Sequence, residues 1–133
     1  MAEVNIGDIV KAHYNSGTYI GKVIEDRGQN YLIEVHAVHK HPLQGDLHNY
    51  GKIDVVFHER KALFYKEKMN VKKPAVHLYE ENIPSYGESL KKAVITYKEK
   101  LEQEDSDYSR AAISKLNDLE ENYYKKSYYN IKS

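Results

Sequence analysis

Cysteine is absent from this chain of 133 residues. No disulfide, thiolate metal site, cysteine nucleophile or thioether-linked lipid anchor can therefore be built on it. Tryptophan is absent too, and only two phenylalanines and three prolines occur. No apolar run approaches the ~20 residues that a membrane-spanning helix needs. The opening M-A-E-V-N-I-G-D lacks the basic start and apolar stretch of a signal peptide, so the expected location is the cytoplasm, with no direct membrane insertion. An excess of charge of one sign is also missing. Lys and Arg number 20, Asp and Glu number 20, and the formal charge is +0. A nucleic-acid binder ordinarily carries a basic excess that displaces counterions from phosphate. No nucleic-acid partner is expected, although Lys66, Lys68, Lys72 and Lys73 form a local basic run and a nucleic-acid-binding barrel stays open as an alternative.

What is present is tyrosine, 13 of them. A tyrosine packs its ring while its hydroxyl stays polar, so these side chains suit a core boundary or a binding surface. The hydrophobic share of 41% is too high for a disordered chain. The first half reads as strands. Val10, Ala12 and Tyr14 alternate with Lys11 and His13, and Asn15-Ser16-Gly17 marks a turn before Tyr19–Ile24. A second turn at Arg27–Asn30 precedes Tyr31–Val38, in which Tyr31, Ile33, Val35 and Ala37 share a face. After a turn-rich stretch from Lys40 to Lys52, Ile53, Val55 and Phe57 alternate, and Ala62–Lys66 is read as the last strand. Five short antiparallel strands cannot bury two faces while flat. An α+β fold is expected, with a small SH3-like five-stranded antiparallel barrel over residues 1–73.

From Pro74 the pattern turns helical. Ser85 and Glu88 fit a capping box ahead of Leu90, Ala93, Val94, Tyr97 and Leu101 at helical spacing. Asp105, Ser106 and Asp107 are candidate N-caps for a second helix, with Tyr108, Ala112, Leu116, Leu119 and Tyr123 on its apolar stripe. Tyr97, Tyr108, Tyr123 and Tyr124 are read as core. Tyr128 and Tyr129 are read as partner contacts or as a cap on the barrel. Residues 74–133 are thus expected to form a helical hairpin packed on the barrel as one structural unit.

Five of the seven histidines fall between His36 and His58. Histidine and carboxylate are the usual ligands of zinc when cysteine is missing, so His39, His41, Asp46 and His48 are candidate metal ligands of a metal-binding protein or metal-dependent enzyme. In an extended strand His39 and His41 would point the same way. The stronger reading is an ordered loop, its imidazoles bonded to backbone groups. No H-E-x-x-H or C-x-x-C spacing occurs, and Asp46 and His48 lack a nucleophile or a second carboxylate for acid–base work. In a strand Arg60 would share a face with His58, where its guanidinium can receive an acidic partner. No cofactor and no enzymatic activity are expected.

The string V-H-K-H-P-L-Q-G-D-L-H from Val38 to His48 resembles the signature of the kinase-associated protein B family of spore-forming bacilli. D-V-V-F-H-E-R-K-A-L from Asp54 to Leu63 is similar to that family's second characteristic stretch. So are N-I-G-D-I-V, Y-x-x-G-x-Y-I-G-x-V from Tyr14 to Val23, and S-Y-G-E-S-L-K from Ser85 to Lys91. The resemblance implies an SH3-like barrel with a helical addition. It also implies a non-enzymatic accessory role, by protein–protein interaction, with a sensor histidine kinase of the sporulation phosphorelay. The motif positions carried over, as candidates for partner binding, are His41, Pro42, Gln44, Gly45, Asp46, Leu47, His48, His58 and Arg60. The resemblance assigns them no individual roles. Family names often include "lipoprotein", which a chain without cysteine cannot satisfy covalently; recruitment to the inner membrane face by a protein partner is the expected substitute. The oligomeric state is open, a homodimer included.

Overall fold

The computed structural model describes residues 4–45 and 59–132. Five strands come first: β1 (Ile9–Tyr14), β2 (Gly17–Asp26), β3 (Asn30–Lys40), β4 (Lys68–Lys72) and β5 (Val76–Leu78). Helices α1 (Tyr86–Glu104) and α2 (Asp107–Leu119) follow. The strands form one antiparallel sheet in the order β4-β3-β2-β1-β5, so the fold is α+β, as expected. The β1–β2 hairpin turns on Asn15 and Ser16, both at positive φ (46° and 67°). That geometry matches the twist of the flanking strands.

The sheet has to curl. β4 and β5 lie on opposite edges, yet only Lys73–Ala75, wound as one 3₁₀ turn, separates them. Strands ~4.8 Å apart would place the edges of a flat five-stranded sheet ~19 Å apart. Stepping from Lys72 to Val76 covers ~14 Å at full extension. The edges must therefore approach each other, as in a small barrel. Inside the curl lie Val10, Ala12, Val23, Ile33 and Val35, all buried.

One strand expectation and one helix start need correction. Ala62–Lys66 is not a strand; β4 and β5 occupy 68–72 and 76–78 instead. β4 was masked by its own polarity, because Lys68, Asn70 and Lys72 face outward around buried Met69 and Val71. The helical texture expected from Pro74 begins only at Tyr86. The expected strand over Ile53, Val55 and Phe57 lies outside the described residues.

The helices carry two further corrections. Ser85 is the N-cap of α1, but its side chain makes no capping bond. The C-terminal tail supplies the acceptor instead: Gly87 N–H donates to the Ile131 carbonyl at 2.9 Å. A capping box does form at α2, where Ser106 Oγ accepts from Ser109 N–H and Ser109 Oγ accepts from Ser106 N–H. The apolar stripe of α2 ends on Tyr124, not Tyr123. Residues Glu120–Tyr124 form a π-helical turn, with Lys125 N–H bonded to the Glu120 carbonyl. One extra residue in that turn rotates Tyr124 inward and leaves Tyr123 exposed beside Lys61.

Gly87 must lack a side chain, since a Cβ there would lie 2.2 Å from the Tyr129 carbonyl oxygen. In an isolated helix Gly→Ala stabilises by about 1 kcal/mol. Here the clash should win. Gly87→Ala is expected to lower stability by about 2 kcal/mol and to speed amide exchange over 128–131. A gain in thermal midpoint would show that propensity prevails and that the tail is not docked this closely.

Candidate functional site

The site grows from an irregularity at the end of β3. The β2–β3 register steps from Val38 to Lys40 across neighbouring Tyr19 and Thr18, so His39 is left without a partner. Such a bulge breaks the alternation of side chains. His39 consequently stays exposed while His41 turns inward to 4% exposure. The expectation that both histidines share a face is thereby corrected.

Inside, the His41 ring is bonded at both nitrogens. Nδ1 lies 2.8 Å from the Pro42 carbonyl and Nε2 lies 2.8 Å from the Tyr124 hydroxyl. A carbonyl only accepts, so Nδ1 carries the proton and Tyr124 O–H donates to Nε2. The same hydroxyl accepts from Ala62 N–H at 3.0 Å. Burial pushes the His41 imidazolium down to a pKa of about 4, against the opposing pull of the Pro42 bond and the negative Glu120. The ring also stacks on Tyr97, with centroids 6.1 Å apart and planes 28° apart.

Gln44, 1% exposed, is the second anchor. Its Nε2 donates to the carbonyls of Pro42 (3.1 Å) and Arg60 (2.9 Å), and its Oε1 accepts from Arg60 N–H (2.9 Å). The side-chain amide thus pairs with Arg60 as a neighbouring strand would. The Gln44 backbone is held by tyrosines: its N–H donates to the Tyr97 hydroxyl and its carbonyl accepts from Tyr108.

This arrangement explains why Ala62 and Leu63 form no strand despite their apolar sequence; only at Lys66, whose N–H donates to the Val35 carbonyl at 2.7 Å, does the segment reach the backbone of β3. Every buried N–H and C=O needs a partner. For Arg60, the Ala62 N–H and Leu63 those partners are side chains. Gln44 serves Arg60, Tyr124 serves Ala62, and Tyr19 and Tyr86 serve the N–H and C=O of Leu63. Burial raises the Tyr19 hydroxyl to about 12 and pushes the Tyr124 and Tyr86 hydroxyls upward as well, so all three remain neutral donors and acceptors. Sequence reasoning read Tyr124, Tyr97 and Tyr108 as core but missed their hydroxyl roles, and it gave Tyr19 and Tyr86 no core role. The signal was available in the ratio of 13 Tyr to 2 Phe.

The motif residues fall as follows. His41, Pro42, Gln44 and Gly45 are buried, and Gly45 adopts a φ of 92°. Arg60 is half-buried, its guanidinium 3.5 Å from the Leu43 carbonyl. Asp46, Leu47, His48 and His58 lie outside the described residues. Among the described residues no group of three or more His, Cys, Asp or Glu side chains could hold a metal ion. His41 offers no ring nitrogen to one, since both are bonded within the chain. The sequence-level basic run also disperses: Lys68 pairs with Glu34, Lys73 pairs with Asp26, and Lys66 lies over the ring of Tyr65. No helix among the described residues is long and apolar enough to cross a membrane.

Next to the His41–Tyr97 stack, a hollow of about 500 Å³ is bounded by His13, Thr18, His39, Lys40, Leu43 and Lys100. It adjoins a second hollow of about 670 Å³, sharing His39, Lys40, Ala93 and Thr96 with it.

Comparison with known proteins agrees with the geometry. Residues 14–124 match the family model described as kinase associated protein B. The chain is 41% identical over 125 residues to "Kinase-associated lipoprotein B" of Bacillus subtilis (strain 168), covering 93% of this chain and 98% of the relative. Its fold is similar to the crystal structure of kinase-associated protein B from Bacillus cereus, with a TM-score of 0.78 and 35% identity, across 91% of this chain and 98% of that one. The chain therefore belongs to the kinase-associated protein B family.

Proposed function

We propose that this protein is a non-enzymatic accessory factor that binds a sensor histidine kinase of the sporulation phosphorelay through protein–protein contact. It works in the cytoplasm, held near the inner membrane face by that partner. The reading is supported by the names of its relatives, which associate them with a kinase, and by membership of their family along most of the chain. The disposition of the motif is the observation that carries the mechanistic part. His41 and Gln44 direct their polar side-chain atoms into bonds with the chain itself. A group so engaged is not available to attack or protonate a substrate. Their product is an anchored segment from His41 to Gly45, and a segment fixed in shape before binding favours recognition of a partner.

The test is capture of the purified cytoplasmic portion of a sporulation sensor kinase by the immobilised chain. Saturable retention is expected, with no turnover of nucleotide by the chain alone. Failure to retain the kinase, under conditions in which a known relay pair is retained, sinks the reading.

A further inference from the structure

The paired hollows form one groove whose walls are cationic although the chain is neutral overall. On the sheet side, strand register sets the charges in rows. His13 on β1, Thr18 on β2 and Lys40 on β3 stand side by side, and His77, Lys11 and Ile20 form the next row. Lys11 and His13 are two residues apart on one strand and so share a face. Across the groove, Lys92, Thr96 and Lys100 follow each other at four-residue spacing along α1. They make a wall ~12 Å long. Thr18, Ile20, Val38 and Ala93 are buried beneath. Glu81 and Glu88 stand at one end only.

No side chain of Lys11, Lys40, Lys92 or Lys100 forms an ion pair or hydrogen bond with another described residue. Some lysines elsewhere do pair, as Lys73 does with Asp26, Lys98 with Glu120 and Lys125 with Glu121, whereas Lys72 and Lys126 pair with no described residue; what sets the groove apart is that its cations stand together. The crowding is felt at His39, whose pKa is held down first by burial and then by Lys11 and Lys40, against Glu81.

We propose that this groove is the docking site for an extended acidic segment of a protein partner. The choice follows from shape and charge. Two cationic walls flank a buried floor over ~12 Å, which accepts three or four residues of extended chain at ~3.3 Å each. Unpaired surface cations steer and select an oppositely charged partner. The proposal rests on the interaction reading above and places that interaction on one face of the molecule.

Two measurements test it. In the first, a fluorescein-labelled ten-residue peptide alternating Glu and Ser is titrated with the full chain and followed by anisotropy. Saturable binding is expected, weakened about tenfold or more by Lys40→Glu with Lys100→Glu. Lys72→Glu with Lys126→Glu makes the same change in net charge away from the groove and should leave affinity within about twofold. Absence of binding, an equal loss in the control pair, or tighter binding to duplex DNA or to phosphatidylglycerol vesicles overturns the proposal. In the second, the groove variant is put through the kinase capture. Reduced capture supports the groove. Undiminished capture overturns the groove while leaving the kinase reading intact. If even the wild-type chain captures no kinase, that reading fails and the peptide titration alone decides the groove.

Discussion

Gln44→Glu is expected to lower the stability of this protein by about 3–5 kcal/mol at pH 7, the range for a charge buried without its partner. The change is nearly isosteric, so packing contributes little to it. What changes is donation. In the wild type, Nε2 donates to the carbonyls of Pro42 and Arg60. A glutamate would set a carboxylate oxygen against both. The buried side chain has two unfavourable choices. It can stay ionised and face two carbonyl dipoles, or take up a proton and satisfy only one of them. Its folded pKa should therefore rise above the ordinary ~4.3. A raised folded pKa means that stability is retained in acid and lost as pH rises. The deficit relative to wild type should accordingly shrink between pH 7 and pH 5. Gln44→Ala loses the same hydrogen bonds without gaining an acid, so its deficit should not depend on pH over that range. Urea midpoints of the three proteins at both pH values check this. A pH-independent deficit for Gln44→Glu would show that the Arg60 segment is not held by the Gln44 amide.

Mild acid should destabilise the wild-type protein through His41. The folded pKa of about 4 lies below the ordinary imidazole value of 6.5, so the native state favours the neutral ring. The unfolded chain binds the proton more readily. Stability is thus fully present above pH 6.5 and is lost as pH falls toward 4, where the loss levels off. The gap corresponds to about 3 kcal/mol, of which about 2 kcal/mol should be gone by pH 5. The physical reason is concrete. A protonated ring carries N–H at both positions, so Nε2 no longer accepts and the Tyr124 O–H that donates to it loses its acceptor. Among the described groups acting on the ring, only Glu120 is negative, and its carboxylate is held below its usual range by Lys98 and Tyr129 despite its burial. The other depressed carboxylates, Asp26 and Glu34, titrate below the window from pH 6.5 to 5 and leave it readable. His39, also depressed, adds in the same direction, and His39→Gln removes that share. Denaturant melts across this window should fall steeply for wild type, much less for His41→Gln, and stay nearly flat for His41→Gln with His39→Gln. An unchanged slope in the variant would remove His41 as the cause.

The hairpin of β1 and β2, the inward face of β3 and the stripes of both helices could all be read from the chain. Their signal is local: alternation of period two, recurrence at helical spacing, and a turn with residues that accept positive φ. The family could be read as well, because the string around His41 is specific. Other features were hidden for a common reason. The bulge at His39, the π-helical turn before Tyr124 and the tail carbonyl at Gly87 each depend on contacts far away in sequence. No window around His39 reveals that His41 will meet a tyrosine 83 positions later. Likewise, Ala62 and Leu63 carry the residue types of a strand. Whether their backbone groups bond to a neighbouring strand or to Tyr19, Tyr86, Tyr124 and Gln44 depends on which side chains the folded chain brings within reach.

The amino-acid sequence by itself determined the composition-level exclusions, the order of strands before helices and the family. Those rest on residue identity and on spacing along the chain. Tertiary structure alone decided that the His41 loop is an inward-facing scaffold, and that Lys11, Lys40, Lys92 and Lys100 gather beside it from β1, β3 and α1. A buried hydrogen bond and a cluster of like charges are both short-range in space. They take their meaning from distances that only the packed chain sets.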